Sequence, residues 1–167
     1  SDIVDYLLYV DKKTGLPNRE KLNIYIGEMA GKVLPEAFTC FTLSLDNLSE
    51  LTKRFGYTVG DGVLKDFAGL VQLMGDTEGM RGYNGVGRFV VFFEECSSKK
   101  AAAMIRILDN QVEEYNSLNP EYPIRYTAAW ATTEETDTYE IRELLRLSQK
   151  KWKQMEKEKK DKAEEET

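Results

Sequence analysis

The chain of 167 residues contains no histidine and only two cysteines, and these shortages exclude two kinds of chemistry. A histidine-based catalytic dyad cannot form, because no imidazole is present. A zinc site is also excluded, since Cys40 and Cys96 do not have a metal-binding spacing and no histidine can complete the ligand set. We expect both thiols to be reduced and to pack as small apolar groups.

No apolar run approaches the length of a membrane-spanning helix, and basic residues are not in excess. The net charge is -6 and the isoelectric point is about 4.9. Nucleic acids and anionic membranes attract basic surfaces, so we expect neither as the main partner, although a nucleotide can still bind an acidic protein locally. Because no signal-peptide pattern follows Ser1, we expect a cytoplasmic domain cut from a longer protein, which leaves open a membrane anchor elsewhere in that protein.

Apolar residues recur at helical spacing in some segments and at strand spacing in others, and the length suits one domain. We therefore expect an α+β fold. The predicted helices are 2–10, 19–31 with Asn18 as its cap, 47–54, a segment opened by Asp61, a segment from Ser97 or Ser98 to 115, and one that begins at Thr138. The predicted strands are 37–45, the two arms of a hairpin at 83–93, and 122–133.

The hairpin is the central feature of the sequence. Gly85 and Gly87 flank Val86, and a run of β-branched and aromatic residues follows at once. Glycine takes positive φ at little steric cost, so this pattern predicts a β-hairpin with a tight tip. By itself, a Gly-x-Gly pattern indicates a turn and nothing more.

Three segments in the same order resemble the GGDEF family of bacterial diguanylate cyclases. They are 11–19, then 43–48 together with 55–61, and finally Gly85-Val86-Gly87-Arg88-Phe89, which falls on Gly-Gly-Asp-Glu-Phe. The resemblance implies a central, mostly antiparallel five-stranded sheet flanked by helices, as in nucleotidyl cyclases and polymerase palms. It also implies the end of an incoming signalling helix at 1–10, a GGDEF-like domain at 11–160, and a charged helical tail or linker at 161–167.

Family members join two GTP molecules into cyclic di-GMP, using two Mg²⁺ or Mn²⁺ ions held by carboxylates. The ligands are the first acid of Asp-x-Asp, the backbone carbonyl beside it and the third residue of the hairpin motif, supported by the fourth. The corresponding positions here are Ser44, Leu45, Gly87 and Arg88. Both carboxylate ligands are therefore missing, and a guanidinium cannot replace them, since Mg²⁺ needs oxygen ligands. Asp46 is the one acid left at this strand end and is a candidate for weak Mg²⁺ binding.

Other positions that contact the nucleotide in the family are also altered. The resemblance places the guanine-recognising pair on Thr52 and Asp61; only the acid is retained, and it is equally well explained as a helix N-cap. The phosphate-contacting basic residues of the last helix correspond to Glu156 and Lys160. The product-inhibition motif Arg-x-x-Asp corresponds to 76–79 and is absent.

These losses favour a catalytically inactive GGDEF domain that serves as a regulatory or interaction module in a cyclic di-GMP signalling protein. It would pair with itself or with another GGDEF domain, and be fused to an EAL or sensor domain. No cofactor is expected, except Mg²⁺ with GTP if the domain senses GTP. The candidate residues for GTP binding are Asp46, Asn47, Thr52, Asp61, Gly85, Arg88 and Lys160. The alternative is an unconventional active cyclase, in which Glu50 or Glu94 would supply a missing metal ligand.

Overall fold

The computed structural model describes residues 1–75 and 78–167 and confirms the predicted mixture of helices and strands. None of the helices in these ranges is both long and apolar enough to cross a bilayer. The elements in chain order are α1 (Asp2–Tyr9), α2 (Arg19–Met29), β1 (Thr39–Leu45), α3 (Leu48–Phe55), α4 (Tyr57–Gln72), β2 (Gly79–Gly85), β3 (Arg88–Phe93), α5 (Ser98–Leu118), β4 (Tyr126–Thr132), α6 (Thr133–Thr136) and α7 (Ile141–Glu165).

The strands form one antiparallel sheet in the order β2-β3-β1-β4. The antiparallel arrangement was predicted correctly, but the prediction of a fifth strand is wrong for the described part of the chain. After β4 the chain forms α6 and α7, and α7 is rich in lysine and glutamate, which favour helix over strand. At the open edge of β4, Lys151 donates to the carbonyl of Trp130 (3.1 Å) and Lys159 to that of Tyr126 (2.7 Å).

Helices cover both faces of the sheet, so β1 is buried along its whole length. Alternate strand residues belong to the core on the α4 and α5 side: Phe41, Leu43, Phe89, Val91 and Phe93. The intervening residues belong to the core on the α2 and α7 side: Cys40, Val90, Phe92 and Ala131. Ser44 and Arg88 are cross-strand neighbours where β1 ends and β3 begins, which places both at the hairpin end of the sheet.

Two of the predicted helix caps are confirmed. The side chain of Asn18 accepts a hydrogen bond from the Lys21 amide (3.0 Å), and that of Ser97 accepts one from the Lys100 amide (3.2 Å). Each short polar side chain thereby satisfies an amide that the first helical turn leaves unpaired.

Two predicted helix starts are wrong. Asp61 is not the first residue of a helix, because α4 already begins at Tyr57. Gly56, with a φ of 92°, ends α3 and directly precedes α4. The last long helix begins at Ile141 and not at Thr138. The chain first forms the short α6, and the carboxylate of Glu140 then caps α7 by accepting from the Glu143 amide (2.9 Å).

Both cysteines are buried and free, as predicted. Burial raises the pKa of the Cys40 thiol to about 12, and burial also raises the pKa of Cys96. A thiol with a raised pKa stays protonated at neutral pH, so both side chains act as small apolar groups.

Candidate functional site

The hairpin tip is a two-residue turn formed by Val86 and Gly87. Both have positive φ, 54° and 73°, and Gly85 pairs across the turn with Arg88. Positive φ at both central residues is the geometry of a type I′ turn, which matches the twist of the two strands. The predicted tight hairpin is confirmed, with a β-branched side chain held where glycine or asparagine is normally found.

The turn packs directly against the end of β1. The Leu45 amide donates to the Gly87 carbonyl (2.7 Å), and the Gly87 amide donates to the Tyr83 hydroxyl (2.8 Å). A Cβ atom added at Gly87 would lie 3.0 Å from the Leu45 carbonyl oxygen. A side chain at position 87 would therefore require the backbone around Leu45 to shift by a few tenths of an ångström.

Position 44 lies in a chain of hydrogen bonds that we call the Ser44 network: Ser44, Asp46, Thr127, Trp152 and Lys159. The Trp152 indole N–H donates to Ser44 Oγ (2.7 Å), and Ser44 Oγ donates to Asp46 Oδ1 (2.5 Å). Thr127 Oγ1 donates to Asp46 Oδ2 (2.6 Å) and accepts from Lys159 Nζ (3.0 Å). Both oxygens of the one remaining carboxylate are thus engaged by hydroxyl groups of the chain.

Arg88 completes the site on the side of α7. Its guanidinium carbon lies 4.7 Å from the centre of the Trp152 ring, in a cation–π contact. Trp152 therefore contacts both altered motif positions, Ser44 through its N–H and Arg88 through its ring face. Trp152 was not predicted as a site residue from the sequence, where it is one of the apolar residues of the last helix. The signal that could have indicated its role is a tryptophan within a segment rich in lysine and glutamate.

The residues at this strand end do not fit a pair of divalent metal ions. Within 1–75 and 78–167, no three carboxylate, thiol or imidazole side chains come close enough together to hold a metal. Arg88 begins β3, and Glu94 directly follows the other end of this strand. At the rise per residue of a β-strand, the two residues are roughly 20 Å apart. Glu94 therefore cannot supply the missing ligand, and Glu50 lies in the exposed first turn of α3.

The predicted nucleotide-binding residues Asn47, Thr52 and Asp61 each have a partner within the chain. Asn47 donates to the Pro123 carbonyl (2.8 Å) and accepts from the Arg125 amide (3.2 Å), so its side-chain amide holds the segment before β4. Thr52 packs on Gly60, where an added Cβ would lie 2.3 Å from the threonine Oγ1. Asp61 forms an exposed ion pair with Lys13 (3.4 Å).

The two positions that correspond to phosphate contacts in the family pair with each other. Lys160 Nζ lies 3.3 Å from a carboxylate oxygen of Glu156, one helical turn earlier. Gly85 lies beside Arg19, which donates to the Asn84 carbonyl (2.5 Å) and so holds the hairpin. The assignment of these residues to nucleotide binding stays a prediction, and the product-inhibition position begins at Asp76 and Thr77, which lie outside the described residues.

An antiparallel sheet flanked by helices is the fold that the three motif segments predicted. The family model described as diguanylate cyclase, GGDEF domain, matches residues 8–162, and the chain belongs to this family.

Solved structures show the same fold at low sequence identity. A diguanylate cyclase/phosphodiesterase from Caldicellulosiruptor saccharolyticus is 19% identical with a TM-score of 0.69, over 91% of each chain. The active GGEEF domain of a diguanylate cyclase from Vibrio cholerae is 19% identical with a TM-score of 0.65, over 72% of this chain and 77% of that one. The Vibrio cholerae LapD S helix-GGDEF-EAL protein is 14% identical with a TM-score of 0.64, over 78% of this chain and 30% of that one. Among curated proteins, no sequence matches the chain.

Proposed function

We propose that this GGDEF domain is catalytically inactive and serves as a regulatory or interaction module in a cyclic di-GMP signalling protein. The Ser44 network is the observation that carries the proposal. It includes Ser44, to which the family resemblance assigns a metal-ligand position, and it engages both oxygens of Asp46 with protein hydroxyls. Phosphoryl transfer between nucleotides depends on metal ions that neutralise the developing charge, and the described residues include no cluster of three acids or thiols to hold them.

The second support is the replacement of acid by base at the hairpin. In the family the acid at this position would support the metal ligands, whereas Arg88 is stacked on Trp152. Because the ring and the guanidinium attract each other, the Trp152 ring holds the arginine side chain in position. The site is thus stabilised as a packed part of the fold.

The interaction role is supported by α1. This helix carries five exposed apolar side chains, each at least half exposed: Ile3, Val4, Tyr6, Leu7 and Leu8. Apolar residues at this density on a short surface helix favour contact with another helix. We propose that α1 pairs this domain with a second GGDEF domain, of the same or another chain. The LapD protein, in which an S helix, a GGDEF and an EAL domain are joined, supports a fused arrangement.

The test is a direct measurement of binding and turnover. The purified domain is titrated with GTP and Mg²⁺ by calorimetry, and the same samples are analysed by chromatography for cyclic di-GMP. The active GGEEF domain from Vibrio cholerae serves as the positive control. We expect no cyclic di-GMP above the protein-free blank.

Each outcome has a distinct meaning. Heat of GTP binding without product would identify a GTP-sensing module, with Mg²⁺ bound through the nucleotide. No heat would leave a pure interaction module. Product that disappears in the Asp46→Ala variant would show an unconventional cyclase and overturn the proposal.

A further inference from the structure

A cleft of about 400 Å³ lies between the start of β3 and one face of α7, and Asp46 is not among its lining residues. Its lining includes Arg88 and Asn84 from the hairpin, and Arg146, Lys150, Trp152 and Lys153 from α7. The floor is made by the sheet residues Thr42 and Val90. Arg88 is the one residue predicted to bind GTP that also lines this cleft, and the other lining residues lie outside the predicted GTP site.

The cleft concentrates positive charge in an acidic protein. Four of its lining residues are cations and none is an acid, whereas the whole chain carries a net charge of -6. The three cations of α7 follow at spacings of four and three residues, so they share one face of the helix. Arg88 faces them across the cleft from a different element, which makes the positive region concave.

Most of this charge is not neutralised within the chain. Arg146 is bound by Glu143 through two hydrogen bonds (2.9 and 2.5 Å). In contrast, no carboxylate within 1–75 and 78–167 lies within ion-pair distance of Arg88, Lys150 or Lys153. The contact of Arg88 with the Trp152 ring orients the guanidinium but leaves its charge.

We propose that this cleft binds a small phosphorylated anion with at least two negative charges, of the size of pyrophosphate or a nucleoside phosphate. A guanidinium and two ammonium groups around one concavity match the chemistry of phosphate oxygens. The volume lies in the lower range of small-molecule sites, which favours a small ligand over a macromolecule. The same cations would hold pyrophosphate and the phosphate of a nucleotide, and the apolar lining residues Phe89, Val90 and Trp152 offer a nucleoside an additional surface.

The test uses Trp152 as a reporter in the Trp130→Phe variant, which leaves one tryptophan in the chain. Fluorescence is titrated with inorganic pyrophosphate, GMP and sodium sulfate at constant ionic strength, and the Kd is confirmed by calorimetry on the unaltered chain. We expect saturable binding of pyrophosphate. A Kd for GMP lower than that for pyrophosphate would identify the nucleoside phosphate as the better ligand. Sulfate should bind more weakly, since it carries fewer charges than pyrophosphate.

Matched variants locate the site. Lys150→Gln/Lys153→Gln should weaken pyrophosphate binding about tenfold or more, because two charge-assisted contacts are lost. Lys157→Gln/Lys162→Gln removes the same charge from exposed positions farther along α7 and should change the Kd by less than about twofold. Circular dichroism and thermal melting establish that each variant is folded.

Three results would overturn the proposal. They are the absence of saturable binding, equal weakening by both lysine pairs, and loss of binding in Asp46→Ala with retention in Lys150→Gln/Lys153→Gln. The last result would place the anion at the GTP position of the family. The proposed loss of catalysis would stand or fall separately, because its test measures cyclic di-GMP and not anion binding.

Discussion

The hydrogen bond from Trp152 to Ser44 should contribute measurably to the stability of the domain, since it joins two side chains that are each only 5% exposed. Trp152→Phe removes the indole N–H, part of the buried ring volume and some of the cation–π attraction to Arg88. These losses add to about 2–3 kcal/mol of unfolding free energy. Ser44→Ala should cost about 1–2 kcal/mol, because the indole N–H then lacks its acceptor and Asp46 loses a donor.

The coupling free energy between Trp152→Phe and Ser44→Ala tests the hydrogen bond directly. If the hydrogen bond is present as described, the double variant should be less destabilised than the sum of the single variants by about 1 kcal/mol. Urea denaturation of the four proteins at pH 7 measures this coupling, provided that the urea dependence of the unfolding free energy stays unchanged. A coupling of zero would refute the Ser44 network.

The second tryptophan provides a matched control. Trp130 donates its indole N–H to Ser98 (3.2 Å) and has no hydrogen bond with Ser44. Trp130→Phe removes the same indole group from the chain, so its effect should add to that of Ser44→Ala within about 0.5 kcal/mol. Non-additivity of the same size in both pairs would mean that the coupling reports general loosening of the core.

Other predictions follow from individual side chains. Val86→Asn should raise the unfolding free energy by about 1 kcal/mol in thermal melts, because asparagine tolerates the positive φ of this turn. The control Val33→Asn, at an exposed position without positive φ, should not raise the unfolding free energy. Arg81→Lys should lower the unfolding free energy measured in urea by about 2 kcal/mol. The reason is that the buried guanidinium donates to the carbonyls of Val71 (3.2 Å) and Met74 (2.5 Å) at the end of α4. An unfolding free energy equal to that of the original chain would contradict this role. Burial raises the pKa of Tyr25 to about 12, so the neutral phenol is favoured in the folded state and stability should fall as pH rises from about 10 to about 12. Tyr25→Phe should make that fall shallower and Tyr57→Phe, at an exposed position, should not.

Features that depend on neighbouring residues could be predicted from the amino-acid sequence. The hairpin tip at Gly85–Arg88 and the caps Asn18 and Ser97 were predicted correctly, because turn and cap geometry is decided within a few residues. The order of the motif segments also indicated the GGDEF family, and the missing acids at positions 44 and 87 could be read directly. Asp61 was misplaced as a cap, because Gly56 starts the next helix one turn earlier.

The groups that replace the missing acids could be identified only from the packing of distant segments. Trp152 and Ser44 are 108 residues apart, and no local pattern shows that they form a hydrogen bond. The cationic cleft likewise depends on packing, because it joins Arg88 of the hairpin to the basic residues of α7. Local propensity acts over a few residues, whereas these contacts require the sheet register and the position of α7 to be fixed first. For this reason the sequence showed which groups had been lost, and the fold showed which groups now fill their place.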